Sequence, residues 1–342
     1  MLRLKSIVGG VVFVLMCATT SVGAQPYKNL VFEGAGIRGV AYVGAIRELE
    51  EQNRLTFIEN VGGTSAGAIA ALTLSLCYSA HEIEEIIYHT PLQKFNDGRF
   101  FFAGGISRLN RNYGWYRGKA FTRWLEKIIY AKTGNADITF GELHANDKFR
   151  DLYVTGTSLN HQKLIVFSHE HYPDMKIKDA VRISMSIPLY FEAVCIDSAG
   201  HVIDKRHAKG YYDVMVDGGF TGNFPIFMFD TTTVSDGHPT RSCNPWTLGL
   251  RIDTPGQIAY DVEQKGLAPV EIDRFRNYVS AFYSYVIENL NRTTLGPEDW
   301  QRTVSISSGN IGPKIRKLPL EEKEELINNG REAMRAFLLK DN

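Results

Sequence analysis

A serine lies between two glycines in the pentapeptide Gly63-Thr64-Ser65-Ala66-Gly67, which has the spacing G-x-S-x-G. This spacing is typical of a strained strand-to-helix turn that exposes the serine hydroxyl, so that it can act as a nucleophile. Glycines around the serine remove the Cβ atoms that would clash at so tight a bend. The same residues also fit an ordinary tight turn in which Ser65 caps the helix that follows.

A second glycine-rich turn, Gly34-Ala35-Gly36-Ile37-Arg38-Gly39, lies between a predicted strand and a predicted helix. Its backbone N–H groups would point into the space above the sheet, where they could stabilise a developing negative oxygen. The same letters satisfy the dinucleotide fingerprint G-x-G-x-x-G, with Glu59 near the position that would bind a ribose. A nicotinamide-dependent dehydrogenase and a purely structural turn therefore remain alternatives at this point.

An aspartate ends a third hydrophobic segment, Val214-Met215-Val216-Asp217-Gly218-Gly219. A carboxylate at the end of a strand, followed by two glycines, is expected to face a cleft at the edge of the sheet. Such a residue could serve as a catalytic base, but the motif taken alone favours an Asx turn.

Taken together, the three motifs resemble the patatin-like phospholipase family, whose pattern is a glycine-rich oxyanion turn, then G-x-S-x-G, then D-G-G or D-G-A. The resemblance covers residues 27–252. It implies an α/β fold of three layers, with a mostly parallel central sheet flanked by helices. Segments outside the three motifs are also similar to the family: residues 138–143 (ITFGEL), 183–188 (ISMSIP) and 220–225 (FTGNFP).

The resemblance implies a serine esterase with a Ser–Asp dyad, in which Ser65 is the nucleophile and Asp217 accepts its proton. The implied substrate is a lipid or phospholipid at a membrane or micelle surface, as for a phospholipase A or a lysophospholipase. Neither a cofactor nor a metal ion is needed by this mechanism. Because a free aspartate has a pKa of about 3.9, below the value of about 6.5 for imidazole, the oxyanion hole is expected to supply much of the acceleration.

The oxyanion hole is expected to come from the turn between Gly34 and Gly39. Backbone N–H groups of Ala35, Gly36 and Ile37 would stabilise the oxyanion, and Arg38 would add positive charge or hold the turn. The commoner family turn has three consecutive glycines, and Ala35 replaces the middle one. An alanine keeps the N–H donor, but it must adopt a negative φ to avoid strain.

Other arrangements of side chains compete with the dyad. The order Ser–Asp–His of an α/β-hydrolase needs a histidine after Asp217, and in this sequence that is His238, in a segment that predicts an exposed turn. The run His169-Glu170-His171 could suggest a metal site, but adjacent side chains near a strand end point to opposite faces, which favours a solvated loop. A non-catalytic relative that binds lipid or a protein partner is the remaining alternative.

Hydrophobic patterns predict the elements that position these motifs. Strands are expected at residues 29–33 and 60–63, and helices at 40–49 and 66–76, so strands and helices alternate as in a mostly parallel sheet. Downstream, the patterns predict a helix at 118–131, paired strands at 151–159 and 163–168, strands at 212–216 and 247–252, and a final helix at 319–338.

The first residues predict an export signal. Arg3 and Lys5 precede a short apolar run at residues 7–17, and small residues follow, so cleavage is expected after Ala24. The apolar run is short for a membrane span, although an uncleaved anchor stays an alternative. A periplasmic or secreted protein with peripheral membrane contact is therefore expected.

The mature chain, residues 25–342, is expected to form one domain. The protein has 342 residues, of which 44% are hydrophobic, and a formal net charge of zero, which gives no support for nucleic-acid binding. Residues 253–342 lie outside the resemblance and could complete the sheet edge or offer a partner surface.

The aromatic run Phe100-Phe101-Phe102 could form a flap that contacts lipid, or it could pack on the core beneath a loop.

Overall fold

The computed structural model describes residues 27–98, 101–208, 210–235, 238–275, 277, 278, 281, 282, 285 and 295–341. The export signal predicted for residues 1–24 lies outside the described residues, so its cleavage stays a prediction. Within the described part, no helix is long and apolar enough to cross a membrane.

Strands and helices alternate along the chain. The strands are β1 (Asn29–Phe32), β2 (Asn60–Gly63), β3 (Gly114–Tyr116), β4 (Asp151–Ser158), β5 (Lys163–Phe167), β6 (Leu189–Phe191), β7 (Val194–Ile196), β8 (Asp213–Asp217), β9 (Thr231–Ser235), β10 (His238–Ser242), β11 (Thr247–Asp253) and β12 (Thr303–Ser307). The α-helices are α1 (Tyr42–Glu51), α2 (Ala66–Ser75), α3 (Ala80–His89), α4 (Phe101–Asn112), α5 (Lys119–Thr133), α6 (Phe140–His144), α7 (Ile177–Ser184), α8 (Gly219–Gly222), α9 (Pro255–Val262), α10 (Pro297–Gln301) and α11 (Leu320–Asp341). Short 3₁₀ helices occur at Gly36–Ala41, Arg54–Phe57, Leu92–Phe95 and Ile226–Phe229.

The central sheet contains eight of the described strands. Seven follow the order β12-β11-β1-β2-β4-β8-β7, and β5 pairs with β4. The five strands from β12 to β4 run parallel, whereas β5, β8 and β7 are antiparallel to their neighbours. Helices cover this sheet, so β1 is buried along its whole length, and three apolar residues follow Asn29. The predicted α/β fold class is confirmed.

The register of the sheet brings the ends of β2 and β8, which are far apart in the sequence, to neighbouring positions along β4. In the parallel pair, Gly63 at the end of β2 lies opposite Val154 of β4. The strand β4 continues beyond that point, and the antiparallel β8 runs back along it until Asp217 lies opposite Gly156. The ends of β2 and β8 therefore meet at the same height, although the two strands run in opposite directions.

The last part of the chain completes the sheet and its cover. Strand β12 pairs in parallel with β11 at the sheet edge. Helix α11 packs against α1, and a Cβ added at Gly44 would lie 1.7 Å from the Ile327 carbonyl oxygen, so that the two backbones touch. Across this contact Arg335 pairs with the buried carboxylate of Glu48 at 2.9 Å. One hydrophobic cluster includes both Leu30 and Leu338.

Most predicted elements are present within a few residues of their expected ends, and two segments differ. The residues around His238, expected as an exposed turn, belong to the hairpin of β9 and β10, which joins through residues outside the described ones. Phe101 and Phe102 begin helix α4. Phe100 and the side chains of the other two aromatics lie outside the described residues, so lipid contact by this run stays a prediction.

Candidate active site

Ser65 occupies a strained bend between β2 and α2. Its backbone has φ +53° and ψ −120°, a conformation that costs a non-glycine residue roughly 1–3 kcal/mol. The Ser65 N–H donates to Ser184 Oγ at 2.8 Å, which helps to hold the bend. The Ser65 hydroxyl makes no capping hydrogen bond to α2, so the alternative of a simple helix cap is wrong. The bend has the geometry of a nucleophile elbow.

Two glycines of the elbow are required by close backbone contacts. A Cβ added at Gly67 would lie 2.3 Å from the carbonyl oxygen of Phe32 on β1. One added at Gly63 would lie 2.5 Å from the backbone of Gly67. The start of α2 therefore passes so close to the sheet that only residues without a side chain fit, which explains the G-x-S-x-G spacing.

Asp217 is the last residue of β8 and is 5% exposed. The Ser65 side chain is close enough to lower the pKa of the Asp217 carboxyl, and Asp217 Oδ1 accepts a hydrogen bond from the Gly219 N–H at 2.8 Å. Its backbone is held on both sides, because its N–H donates to the Ser186 carbonyl and its carbonyl accepts from Thr157 Oγ1, each at 2.9 Å. The structure thus places the predicted nucleophile and base beside each other at the end of the sheet.

Burial raises the pKa of the Asp217 carboxyl to about 7, and the hydrogen bonds from Gly219 and Ser65 lower it only in part. The expectation of an ordinary, weakly basic carboxylate is therefore wrong, since desolvation penalises the charged form. A pKa near neutrality is the range in which a general base works well at pH 7. The Ser65 Oγ also lies 3.5 Å from Met185 Sδ, a weaker acceptor than the carboxylate.

The glycine-rich turn follows β1 and lies beside this pair. Ala35 has φ −132°, the negative value that an alanine requires, and Gly36 has φ +57°, in the left-handed region that favours glycine. Arg38 Nε donates to the Ala35 carbonyl at 3.2 Å, so this side chain holds the turn. A Cβ added at Gly39 would lie 2.9 Å from the Ala66 Cβ, which shows how closely the turn packs on α2.

The backbone N–H groups of this turn that are free to bind an oxyanion differ from those expected. The N–H of Ile37 donates to the Pro313 carbonyl at 3.1 Å, so it is already engaged here, and its contribution to the oxyanion hole stays a prediction. The Gly34 N–H is likewise engaged, by the Asn223 carbonyl at 2.9 Å. In the described part of the chain, the N–H groups of Ala35 and Gly36 have no acceptor, and these two remain for an oxyanion.

Several positioning residues were not identified from the sequence. Asn223 donates from Nδ2 to the Gly34 carbonyl at 2.9 Å, so it ties the segment after Asp217 to the oxyanion turn. Ser184 supports the backbone of Ser65, and Pro313 reaches the turn from the loop between β12 and α11. Asn223 and Ser184 lie in segments that resemble the family, which was the available signal, whereas nothing in the sequence indicates Pro313.

An apolar cavity of about 100 Å³ opens beside this group of residues. Its lining includes Gly36, Ala66 and Met185 near Ser65, and then Ala70 and Thr73 further along α2. For scale, an engineered dry cavity of about 150 Å³ holds a benzene molecule. The cavity is therefore large enough for part of a hydrocarbon chain whose polar end lies at Ser65.

Histidines do not complete a triad in the described structure. Within the described residues, no histidine nitrogen hydrogen-bonds to Ser65 or Asp217. His238 begins β10, and its side chain lies outside the described residues. Glu59, expected to bind ribose under the dehydrogenase alternative, instead pairs with Lys28 at 2.8 Å.

A cluster of possible metal ligands forms elsewhere, around His169. Ligand atoms of His144, Asp151 and His169 lie within 4.8 Å of one another, which the sequence did not indicate because the three residues come from different segments. However, the two imidazoles are stacked at 3.8 Å with an angle of 2° between their planes. Their lone pairs lie in these parallel planes and do not converge on one point. His144 Nδ1 instead bonds to Asp151 Oδ1 at 2.8 Å.

Fold and site together define an α/β protein with an elbow serine beside a buried aspartate. Residues 30–230 match the family model described as "Patatin-like phospholipase", and the chain belongs to this family. Because the match spans more than half of the chain, the resemblance seen in the three motifs is confirmed.

Similar proteins agree with this assignment. The chain is 29% identical over 209 residues to "Probable lipid hydrolase 463L" of Invertebrate iridescent virus 6, covering 60% of this chain and 64% of that protein. It is 28% identical over 224 residues to the "cGAMP-activated phospholipase" of Vibrio cholerae, covering 59% and 56%. It spans 63% of the length of an uncharacterised mimivirus protein, R571, to which it is 30% identical over 210 residues.

Solved structures show the same fold. The crystal structure of VipD from Legionella pneumophila is similar with a TM-score of 0.55 and 16% identity, covering 92% of this chain and 67% of that chain. ExoU in its complex with SpcU from Pseudomonas aeruginosa gives a TM-score of 0.51 and 18% identity, covering 92% and 52%.

Proposed function

We propose that the protein is a lipid acyl hydrolase that uses Ser65 as nucleophile and Asp217 as base. The observation that carries the proposal is the strained elbow that holds Ser65 beside a buried carboxyl whose pKa is raised to about 7. Unengaged N–H groups of Ala35 and Gly36 lie on the adjacent turn, and an apolar cavity opens beside it. Membership of the patatin-like phospholipase family supports an ester of a fatty acid as substrate.

In the proposed reaction, Ser65 Oγ attacks the ester carbonyl carbon while Asp217 accepts the hydroxyl proton. The carbonyl oxygen becomes negative and accepts hydrogen bonds from the N–H groups of Ala35 and Gly36. Protonated Asp217 then donates its proton to the leaving alcohol, and the acyl group stays on Ser65. A water molecule gives a proton to Asp217 and attacks the acyl carbonyl carbon. The bond between that carbon and Ser65 Oγ then breaks, Asp217 returns the proton to Oγ, and the fatty acid leaves.

A fluorophosphonate probe with mass mapping tests the proposed nucleophile. We expect covalent labelling of Ser65 in the wild-type protein and none in the Ser65→Ala variant. Ser198→Ala, which alters an exposed loop serine, is the matched control and should label like wild type. A folded protein that binds phospholipid vesicles but is not labelled at Ser65 would instead be a non-catalytic lipid-binding relative.

The rate should depend on pH through Asp217. Because the base must be ionised, kcat/KM for a neutral ester is expected to rise about tenfold per pH unit below pH 7 and to level off above it. Initial rates between pH 5 and pH 9 on an uncharged short-chain ester measure this profile. A rate that is already constant from pH 5 upward would contradict a base whose pKa burial has raised.

Cavity length should set the preference for acyl chains. Ala70 lines the cavity one helical turn beyond Ala66, so Ala70→Phe is expected to fill it. Each methylene kept out of the cavity forfeits about 0.8 kcal/mol, or about fourfold in kcat/KM. Long-chain esters should therefore lose activity progressively, while hydrolysis of an acetyl ester by the same variant should stay unchanged. An equal loss on both esters would show that the cavity does not hold the chain.

A further inference from the structure

A wide groove lies outside the candidate active site and carries an excess of positive charge. It has a volume of about 950 Å³ and runs between the end of α4, the start of α5 and the segment that follows β7. Seven cationic side chains and two carboxylates line it. Since the whole protein has a formal net charge of zero, this excess is a local feature and does not follow from a basic composition.

Most of these cations lack a carboxylate partner. Asp204 is paired with Arg206, whose Nε donates to the Asp204 carboxylate at 2.9 Å, so the charges of these two side chains neutralise each other. Among the described residues, no carboxylate lies within ion-pair distance of Arg111, Arg117 or Lys119. Lys205 is held over the ring of Tyr113, with its Nζ 4.0 Å from the ring centroid. The groove therefore presents unneutralised charge to whatever enters it.

Arg182 forms a buried part of the groove wall and makes no ion pair with any carboxylate of the described residues, although Glu192, Asp97 and Asp179 act on it electrostatically. It is 7% exposed, and its Nη2 donates to the carbonyls of Arg117 and Glu192, each at 3.0 Å. The Glu192 carboxylate accepts from Asn112 Nδ2 at 3.0 Å. A guanidinium taken out of water without an anion is costly, and a bound anion would offset that cost.

We propose that this groove is a binding site for a small anion that carries two or more phosphate groups. Guanidinium groups bind phosphate through paired N–H donors, and lysine adds a point charge. Several unpaired cations around one concavity suit a multiply charged ligand better than a single carboxylate. The volume is also within the range of small-molecule sites, about 300–1,000 Å³.

Arg182 also connects the groove to the candidate active site. On α7 and the residues just after it, Arg182 Nη1 bonds to Ser186 Oγ, Ser184 Oγ accepts from the Ser65 N–H, and the Ser186 carbonyl accepts from the Asp217 N–H. An anion that draws on the Arg182 guanidinium therefore acts on the segment that holds both reacting residues. This second step rests on the proposed function.

Binding of inorganic pyrophosphate to the full-length protein tests the site directly, by isothermal titration calorimetry. We expect saturable binding to wild type and at least tenfold weaker binding to Arg111→Glu and to Lys119→Glu. Lys127→Glu lies on the exposed part of α5 outside the groove and is the matched control, expected to bind like wild type. No pyrophosphate binding, or equal binding to all of these variants, would overturn the proposal.

Two competition arms distinguish the source of the phosphate. Displacement of pyrophosphate by a soluble nucleoside triphosphate assigns the groove to a free metabolite, and displacement by phosphatidic acid vesicles, but not by phosphatidylcholine vesicles, assigns it to a lipid headgroup.

For the connection to the active site, saturating pyrophosphate should change kcat for a neutral short-chain ester at least twofold in wild type and not in Lys119→Glu. An unchanged kcat with pyrophosphate bound would overturn the connection and leave the binding result standing. Because binding is measured without turnover, an inactive protein would refute the proposed function without affecting the test of the groove.

Discussion

Replacing Asp217 by Asn is expected to reduce kcat/KM for ester hydrolysis by between roughly 10²- and 10⁴-fold, the contribution of a positioned general base. Asparagine can still accept the hydrogen bond from the Gly219 N–H, so the geometry should be preserved. It cannot take the serine proton at neutral pH. Steady-state rates on a short-chain ester at pH 8, where wild-type Asp217 is ionised, measure the loss.

The same substitution should stabilise the protein at alkaline pH. The pKa of Asp217 is raised from 3.8 to about 7 in the folded state, so between pH 4 and pH 7 the native protein keeps a proton that the unfolded chain has lost. Wild-type stability therefore falls as pH rises through this window, and the shift of about three pKa units corresponds to about 4 kcal/mol. Asp217→Asn avoids this cost, so its gain in unfolding free energy should grow from near zero at pH 4 to its maximum above pH 7.

Urea denaturation at several pH values measures this gain. Asp147→Asn, at an exposed position, is the matched control and should show no comparable dependence on pH. An Asp217→Asn variant that is active, or one that is less stable than wild type at pH 8, would contradict a buried base at this position.

His238→Ala should retain nearly wild-type activity. A loss of activity in this variant, with Asp217→Asn unaffected, would favour the triad.

The three motifs could be found from the sequence because their constraints are local. A serine bend, a turn with positive φ at Gly36 and close packing at Gly63 and Gly67 each demand particular residue types at fixed spacing. The same holds for the helices and strands, whose hydrophobic patterns depend on the face that each element buries. Fold class and the candidate nucleophile therefore follow from short stretches of the chain.

Features made by contacts between distant segments could not be predicted in this way. The raised pKa of Asp217 results from burial, which depends on everything that packs around the end of β8. The groove combines side chains from α4, α5, α7 and the segment after β7, so the basic stretch of residues 99–123 does not by itself show that these cations line one concavity. The loop containing Pro313 reaches the oxyanion turn only because α11 packs along α1 and fixes where that loop begins and ends.

That loop makes Gly36→Ala the most informative change in the oxyanion turn. A Cβ at Gly36 would lie 2.2 Å from the Pro313 carbonyl oxygen, a backbone atom that cannot swing away like a side chain. The residue also has φ +57°, which alanine adopts only with strain. Either the turn or the loop must move, and the Gly36 N–H moves with the turn. Loss of an oxyanion donor costs about 10²–10³ in kcat, so we expect a decrease of that size with little change in KM.

The Gly134→Ala variant measures the effect of backbone strain without the steric clash that occurs at Gly36. Gly134 has φ +71°, and a Cβ there meets nothing within 4 Å, so the variant pays a similar backbone cost without disturbing the active site. Gly134→Ala should lose about 1 kcal/mol of stability or slightly more from backbone strain alone, Gly36→Ala should lose more because of the added clash, and only Gly36→Ala should lose activity. Denaturation midpoints and kcat on one short-chain ester decide between the two effects. If Gly36→Ala hydrolyses the ester as fast as Gly134→Ala does, the turn that Pro313 holds in place does not form the oxyanion hole.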